Sequence, residues 1–512
     1  MMGRAKWMVA AVAVSVVLLG CMDMAATKGN LVEIVVRQHS LTVMDSQGGS
    51  VSVYPEKEEY LDGDQVTITA TADSGWYFGG WQGDIEGIPQ EQSSITITMD
   101  RSRRISPLFI QRQWTVAVYM AADNDLESAA IQDLNEMEAA VGDGVTVVAL
   151  LDRGSGYDGT NGDWTDSRLY LVERDEGGLN GTIISQRLEC PRLDLYLDRE
   201  TELDMGNPWV LEGFLEYTQA TYPARHTVLV VWGHGTGWRS SMGTISTYHD
   251  SRAVAIDDSS GSYMRTSQLE SAVAGRGFAA IVFDTCFGST VEAAYQLAPH
   301  TQLLAGSAGL TPAAGLDYRR VLEALAGGNT VDSLIQGLTA DNSGRDAGAK
   351  MSVVDTAGMQ ELRDSLEDFA AALAATITSR DDRDRVLDIL LQDTKSYHHG
   401  SYPCDLFLDV ADMAERFTSH GTARVADGAR RLKAAVAGAV TTPTAAAGQV
   451  GLHLIPLAGR NTTATGHSQE YVRGSGVTGQ GRFVAESYGW APTDGGTGGS
   501  LLDRLFYRVY GN

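Results

Sequence analysis

"WTVAVYMAA" (114–122), followed at once by "DNDLESAAIQDLNEMEAAV" (123–141) and then "VTVVALLD" (145–152), decides the fold class. The first and third are short apolar runs rich in β-branched residues, the pattern of buried strands. The middle stretch repeats apolar residues at helical spacing and places Leu126, Ala130, Leu134, Met137 and Val141 on one stripe. Strand, helix, strand predicts a parallel pair with the helix packed across it.

The alternation continues downstream. "NPWVLEGFLEYTQATY" (207–222) opens with an Asn cap and a Pro at the first helical position, and "TVLVVWGHG" (227–235) follows as a strand. Ser267 and Glu270 have the spacing of a capping box before the next helix, and "FAAIVFDTC" (278–286), "TQLLAGS" (301–307) and "KMSVVD" (350–355) read as further strands. Residues 113–460 are therefore expected to form an α/β domain with a mostly parallel sheet and helices on both faces. Residues 461–512, rich in Gly and Thr near their start, read as its loop-rich end.

Upstream, residues 41–112 read as a separate all-β module, with short alternating runs such as "SVSVYP", "QVTITATA" and "SITITMD" between Gly and Asp turns. Its Trp76, Phe78 and Trp81 read as core, because small β modules bury aromatics to hold together. At the N-terminus, Arg4 and Lys6 precede "WMVAAVAVSVVLLG" (7–20), the length of a signal-peptide apolar segment and short for a membrane span. The run ends at Leu18-Leu19-Gly20-Cys21, which resembles the bacterial lipobox. That resemblance implies a signal peptide over 1–20, lipidation at Cys21, a tether over 21–40, and a protein anchored by acyl chains outside the cytoplasm of a bacterium.

Composition narrows the function. Lys and Arg total 39 against 65 Asp and Glu, a net charge of −26 over 512 residues. Nucleic-acid binding needs basic surface, so that class is set aside, whereas a cationic partner suits the charge. Four cysteines, Cys21, Cys190, Cys286 and Cys404, make neither a disulfide framework nor a zinc spacing. Cys190 and Cys404 could pair in an oxidising compartment; the sequence alone does not place them together.

Functional groups of an open α/β sheet gather at the carboxyl ends of its strands. His234 ends one core strand and Cys286 another, and the residues between them suffice for a helix and a right-handed crossover. Gly233, Gly235 and Gly237 are expected to leave the backbone around the imidazole open to substrate. "STVEAAYQLA" (289–298) reads as a helix that would put Cys286 near its N-terminus, where the dipole favours thiolate. Such a Cys–His pair supplies nucleophile and general acid for acyl transfer, with the Gly235 and Cys286 backbone N–H groups as oxyanion donors.

"WTVAVYMAADNDLE", "VTVVALLDR", "VLVVWGHGTGW", "IVFDTC" and "GLHLIP" occur in the order found in the clostripain family of cysteine peptidases, which the chain resembles over roughly 113–460. The resemblance implies a caspase-like α/β/α fold, a catalytic His234 and Cys286, and cleavage after Arg or Lys read by Asp284. Where the family often carries Ser-Glu, this chain has Ser307-Ala308, which alters the charge of the specificity pocket; Pro312, Gly315, Asp317 and Tyr318 keep the pattern. The module from 41 to 112 resembles the divergent internalin-B type of bacterial cell-surface repeat. Family members are often cut by their own activity between the two catalytic residues. Here "WRSSMGTISTYHDSRAVAIDDSSGSY" (238–263) offers Arg252 and, closer to the sheet, Arg239. Calcium is the one cofactor the resemblance raises; "GYDGTNGDWTDS" (156–167) and Asp257-Asp258 offer oxygens without EF-hand spacing and read as solvated loops. The reading is thus a lipid-anchored cysteine endopeptidase acting on basic peptides. Its rival is a surface-binding lipoprotein on a peptidase-like scaffold.

Overall fold

The structure is a computed structural model and describes residues 37–235, 253–340, 351–379 and 407–441, with short pieces at 381–382, 385–386, 389, 396–397, 451 and 453–454. Cys21 and the segment before it, Arg239, Arg252, Gly237, Cys404 and residues 461–512 lie outside these.

The opening stretch folds as its periodicity predicts. Strand β1 (Trp114–Ala122) leads into helix α1 (Glu127–Ala140) and strand β2 (Val145–Arg153), and β1 and β2 pair in parallel from Trp114 opposite Val145 onward. Ala130, Leu134 and Met137 are buried on the expected stripe. The chain continues through β3 (Ser167–Leu171), β4 (Gln186–Leu188), α2 (Pro208–Thr221) and β5 (His226–Trp232). A hairpin of β6 (Ala253–Asp257) and β7 (Ser262–Arg265) precedes α3 (Thr266–Val273), β8 (Phe278–Asp284), α4 (Val291–Leu297) and β9 (Thr301–Gly306). Then come α5 (Tyr318–Gly328), α6 (Val331–Thr339), β10 (Ser352–Asp355), α7 (Met359–Ala374), α8 (Val410–Thr418), α9 (Ala423–Ala439) and β11 (Val440–Thr441).

Nine strands form the main sheet in the order β4-β3-β2-β1-β5-β8-β9-β10-β11. Its five central strands run parallel and the edges are antiparallel. The expectation of a mostly parallel sheet therefore holds for the centre and fails at both sides. β2 turns into β3 without a crossover helix, and β9 is followed by two helices, which return the chain to the starting end and reverse the next strand. Side chains of β1 alternate between two cores: Ala117, Tyr119 and Ala121 face the α2, α3 and α7 side, while Val116, Val118 and Met120 face α1 and α5. Helices cover both faces, giving an α/β/α sandwich.

Two caps differ in how well they were foreseen. Asn207 accepts the Trp209 N–H at 3.1 Å with Pro208 at the first helical position, as expected. Helix α3 instead begins at Thr266; Gln268 accepts the Arg265 N–H at 3.0 Å, and Glu270 accepts from Gln296.

The N-terminal module carries two three-stranded sheets, Gly49–Tyr54, Gln65–Ala72 and Ser94–Thr98 in one, and Leu41–Val43, Trp76–Gly83 and Arg103–Gln111 in the other. Trp81 is fully buried and its indole N–H donates to Gln92 O at 2.9 Å, while Trp76 and Phe78 pack partly buried against the same core. The aromatics hold the module together.

Candidate active site

β5 and β8 are neighbours, and their parallel register sets Trp232 opposite Asp284. Two residues beyond the ends of these strands stand His234 and Cys286, so both follow the carboxyl edge of the sheet. The glycines around His234 serve closeness rather than openness. A Cβ on Gly233, which has φ +133°, would lie 2.8 Å from Ala121 O; one on Gly235 would lie 2.6 Å from the Thr285 side chain and 2.7 Å from Cys286 O. Glycine lets the two strand ends touch backbone to backbone.

The imidazole has a partner that the sequence reading missed. His234 Nε2 donates to Asp125 Oδ1 at 2.6 Å, and Asp125 follows β1 just before α1. This bond commits Nε2–H to the carboxylate and leaves Nδ1 as the unprotonated nitrogen of the neutral ring. The signal was available, since β1 ends at the same sheet edge as the other site strands.

Cys286 is half-buried and differs from expectation. Helix α4 starts at Val291 behind a Thr290 cap, and Phe287 at φ +56° breaks the chain between thiol and helix, so the dipole does not act on the sulfur at close range. Burial pushes the thiol up, with the Thr311 N–H, which donates to Sγ at 3.3 Å, opposing that shift and the Asp284 charge adding to it. The loop from Ser307 to Leu316 therefore cradles the sulfur, and Thr311 Oγ1 ties it down by donating to Thr285 O at 2.7 Å. Cys190 is buried in the core away from this edge, its thiol also raised by burial.

Asp284 is buried at the end of β8. Burial lifts its carboxyl to about 6, against the lowering effect of the Leu316 N–H and the Tyr318 hydroxyl, which donates at 3.0 Å. A second carboxylate lies close: a Cβ on Gly315 would sit 2.9 Å from Asp284 Oδ2 and 3.1 Å from Asp133 Oδ2. Asp133 comes from α1 and accepts the Trp232 indole N–H at 2.7 Å. Asp133 thus brings a second carboxyl group from α1 to the Asp284 corner, beside a loop that carries Ala308.

The segments read from sequence as solvated loops place some of their carboxylates inside the protein, where Asp166 and Asp257 are buried. Asp158 accepts the Thr160 N–H at 2.7 Å and faces Arg153, and Asp166 pairs with Arg168 and Arg187. Asp257 instead joins Asp123, Asp152 and Glu202 in a cluster that could hold a metal ion. Burial is the main cause raising all three of Asp152, Glu202 and Asp257, with Glu202 reaching about 7, and the neighbouring carboxylates add to it. No described helix is long and apolar enough to cross a membrane.

Residues 118–429, well over half of the chain, match the sequence model of the Clostripain family, and residues 39–112 match the Divergent InlB B-repeat domain. Clostripain from Hathewaya histolytica is 28% identical over 238 residues, covering 42% of this chain and 43% of that protein. The chain thus spans less than half the length of that curated relative. A secreted C11 cysteine protease from Bacteroides thetaiotaomicron superposes with a TM-score of 0.50 at 16% identity, over 72% of this chain and 97% of its own. An inactive zymogen C11 protease from Parabacteroides distasonis gives 0.47 at 19% identity, over 67% and 91%. The first of these structures supports the caspase-like α/β fold.

Proposed function

The chain belongs to the clostripain family of cysteine peptidases, and on that premise we propose that it is an endopeptidase working through His234 and Cys286. The observation that supports this is the pairing of Trp232 with Asp284, which brings the ends of β5 and β8, two residues before His234 and Cys286, to one edge of the sheet. Cys286 Sγ attacks the scissile carbonyl after passing its proton to His234, and the imidazolium then protonates the leaving amine. Asp125 holds the ring through Nε2–H. The backbone N–H groups of Gly235 and Cys286 receive the oxyanion. The high intrinsic position of the buried thiol makes proton transfer to the imidazole, rather than a standing thiolate, the route to the nucleophile.

Substrates carry Arg or Lys before the cleaved bond. Asp284 and Asp133 come together against Gly315, and two buried carboxylates in one corner of the site favour a substrate side chain that carries positive charge. The protein cuts itself between the catalytic residues, at Arg252 or Arg239. β5 before the cut pairs with β8 after it, so the main sheet keeps both fragments after cleavage. Acyl chains on Cys21 hold it on the outer side of a bacterial membrane, with the β module as spacer. Hydrolysis of a fluorogenic arginyl peptide, abolished in Cys286→Ala and in His234→Ala, tests the assignment; unchanged turnover in either variant overturns it.

A further inference from the structure

The chain that leaves β8 and the chain that leaves β9 run against each other, and the second of them touches the sulfur. The Ser289 N–H donates to Ser307 O at 2.9 Å, and the Phe287 N–H donates to Gly309 O at 2.8 Å. These rungs step by two residues in opposite directions, as in an antiparallel pairing. In that register the next pair is Thr285 with Thr311, where a backbone rung would join the Thr311 N–H to Thr285 O. Instead the Thr311 hydroxyl donates to Thr285 O at 2.7 Å, and the Thr311 N–H donates to Cys286 Sγ at 3.3 Å. The side chain holds the loop, and the amide is left for the sulfur.

The direction of that amide is set by its surroundings. Pro312 biases the residue before it towards extended backbone. Beyond it, the Gly315 N–H donates to Pro312 O at 2.9 Å and the Leu316 N–H donates to both oxygens of Asp284 at 3.1 Å. The loop is therefore held before Thr311 by the Gly309 rung and after it by Asp284. Between these ties the Thr311 hydroxyl fastens the loop to the buried Thr285.

Thr311 also offers the sulfur an acceptor, since the thiol of Cys286 faces Thr311 O at 3.8 Å. That contact favours the protonated form, but it is the longer of the two. A donor to an ionised acceptor makes the stronger kind of bond, so the N–H prevails once charge forms on the sulfur. Burial raises the thiol, the Thr311 amide lowers it, and the Asp284 charge raises it again. His234 follows the neighbouring strand, with Asp125 behind it.

We propose that Thr311 is a positioning residue for the nucleophile: its hydroxyl secures the loop to Thr285 so that its amide holds Cys286 Sγ as the proton passes from sulfur to His234. This rests on the reading of Cys286 as the nucleophile. Valine at this position keeps the shape of threonine without the hydroxyl, alanine removes the hydroxyl without the bulk, and serine keeps the donor.

The test is the pH dependence of alkylation of Cys286 by iodoacetamide on the full chain, followed by mass spectrometry of the peptide that carries it. Thiolate is the reacting form, so the rate follows ionisation of the sulfur. Below the midpoint of the profile, Thr311→Val and Thr311→Ala should react roughly 3- to 10-fold more slowly than wild type, and the difference should close at high pH. Thr311→Ser should track wild type. A loop merely loosened would change the rate alike at every pH, so the displaced midpoint separates the two effects. Asp284, His234 and Asp125 are the same in all four proteins, and their charges cancel in the comparison. The kcat for an arginyl peptide should fall in the same order, with KM little changed. Identical pH profiles in wild type, Thr311→Val and Thr311→Ala overturn the role of Thr311. A displaced profile with unchanged peptide turnover would leave the sulfur contact standing and overturn the nucleophile assignment instead.

Discussion

His234 and Asp125 are joined by a hydrogen bond of 2.6 Å from imidazole to carboxylate, although 109 residues separate them in the chain. The bond turns a pair of strand-end residues into an oriented system. A ring free to rotate would hold a productive orientation only part of the time, and misplacement of about 1 Å can cost on the order of 100-fold in rate.

Asp125 should therefore act on turnover and not on binding. Asp125→Ala should lower kcat roughly 10- to 100-fold while leaving KM for an arginyl peptide nearly unchanged, as outer partners of a catalytic histidine do. Asp125→Asn keeps an acceptor and should recover part of the loss. Steady-state kinetics on the three proteins check this; a change confined to KM would place Asp125 in substrate binding instead.

Contact between the strand ends predicts a second outcome. Gly235→Ala would drive a Cβ into Thr285 and the Cys286 carbonyl, so it should reduce kcat/KM at least about 100-fold with the far-ultraviolet circular dichroism preserved. Gly327→Ala, with nothing within 4 Å of its Cβ, should be neutral and serves as the control. Equal activity in the two variants would show that the strands do not meet as described.

Asp284 links specificity to stability. Its carboxyl is raised from 3.8 to about 6 by burial, so ionisation is less favourable in the folded state than in the unfolded one. The stability this group allows is complete below about pH 4 and is lost as pH rises through about 6. Asp284→Asn should accordingly match wild type near pH 4 and exceed it by roughly 2–3 kcal/mol at pH 7–8, while losing most activity on arginyl substrates. Denaturant melts at several pH values measure the difference. A variant less stable than wild type at pH 8 would contradict the assignment.

The fold was legible where periodicity was strong. The apolar stripe from Ala130 to Met137 and the runs at 226–232 and 278–284 identified the central layers and the two strands that carry the site. The edges were not legible: Ser167–Leu171 and Gln186–Leu188 are short, with polar loops on both sides, and antiparallel pairing leaves no helical crossover to read. His234 and Cys286 were candidates from the strand-end rule, and Asp284 from the family resemblance. Asp125, Asp133 and Thr311 did not, because their roles depend on how a turn, a helix face and a distant loop close over the sheet edge. The helix expected from Ser289 starts at Val291, because Thr290 caps it by accepting the Ala293 N–H, and Phe287 at positive φ turns the chain between the thiol and that cap. The acidic cluster is spread over positions 123, 152, 202 and 257, a spacing that carries no local pattern.

The central claim, that Cys286 is the nucleophile of a site reading basic residues, is tested most directly by covalent labelling. Wild-type protein is treated with an arginyl chloromethyl ketone, digested and mapped by mass spectrometry. The adduct should appear on Cys286 and not on the buried Cys190, at a rate that falls sharply in His234→Ala and in Asp284→Asn. An adduct on another residue, or labelling of Cys286 at the same rate in all three proteins, would contradict the account.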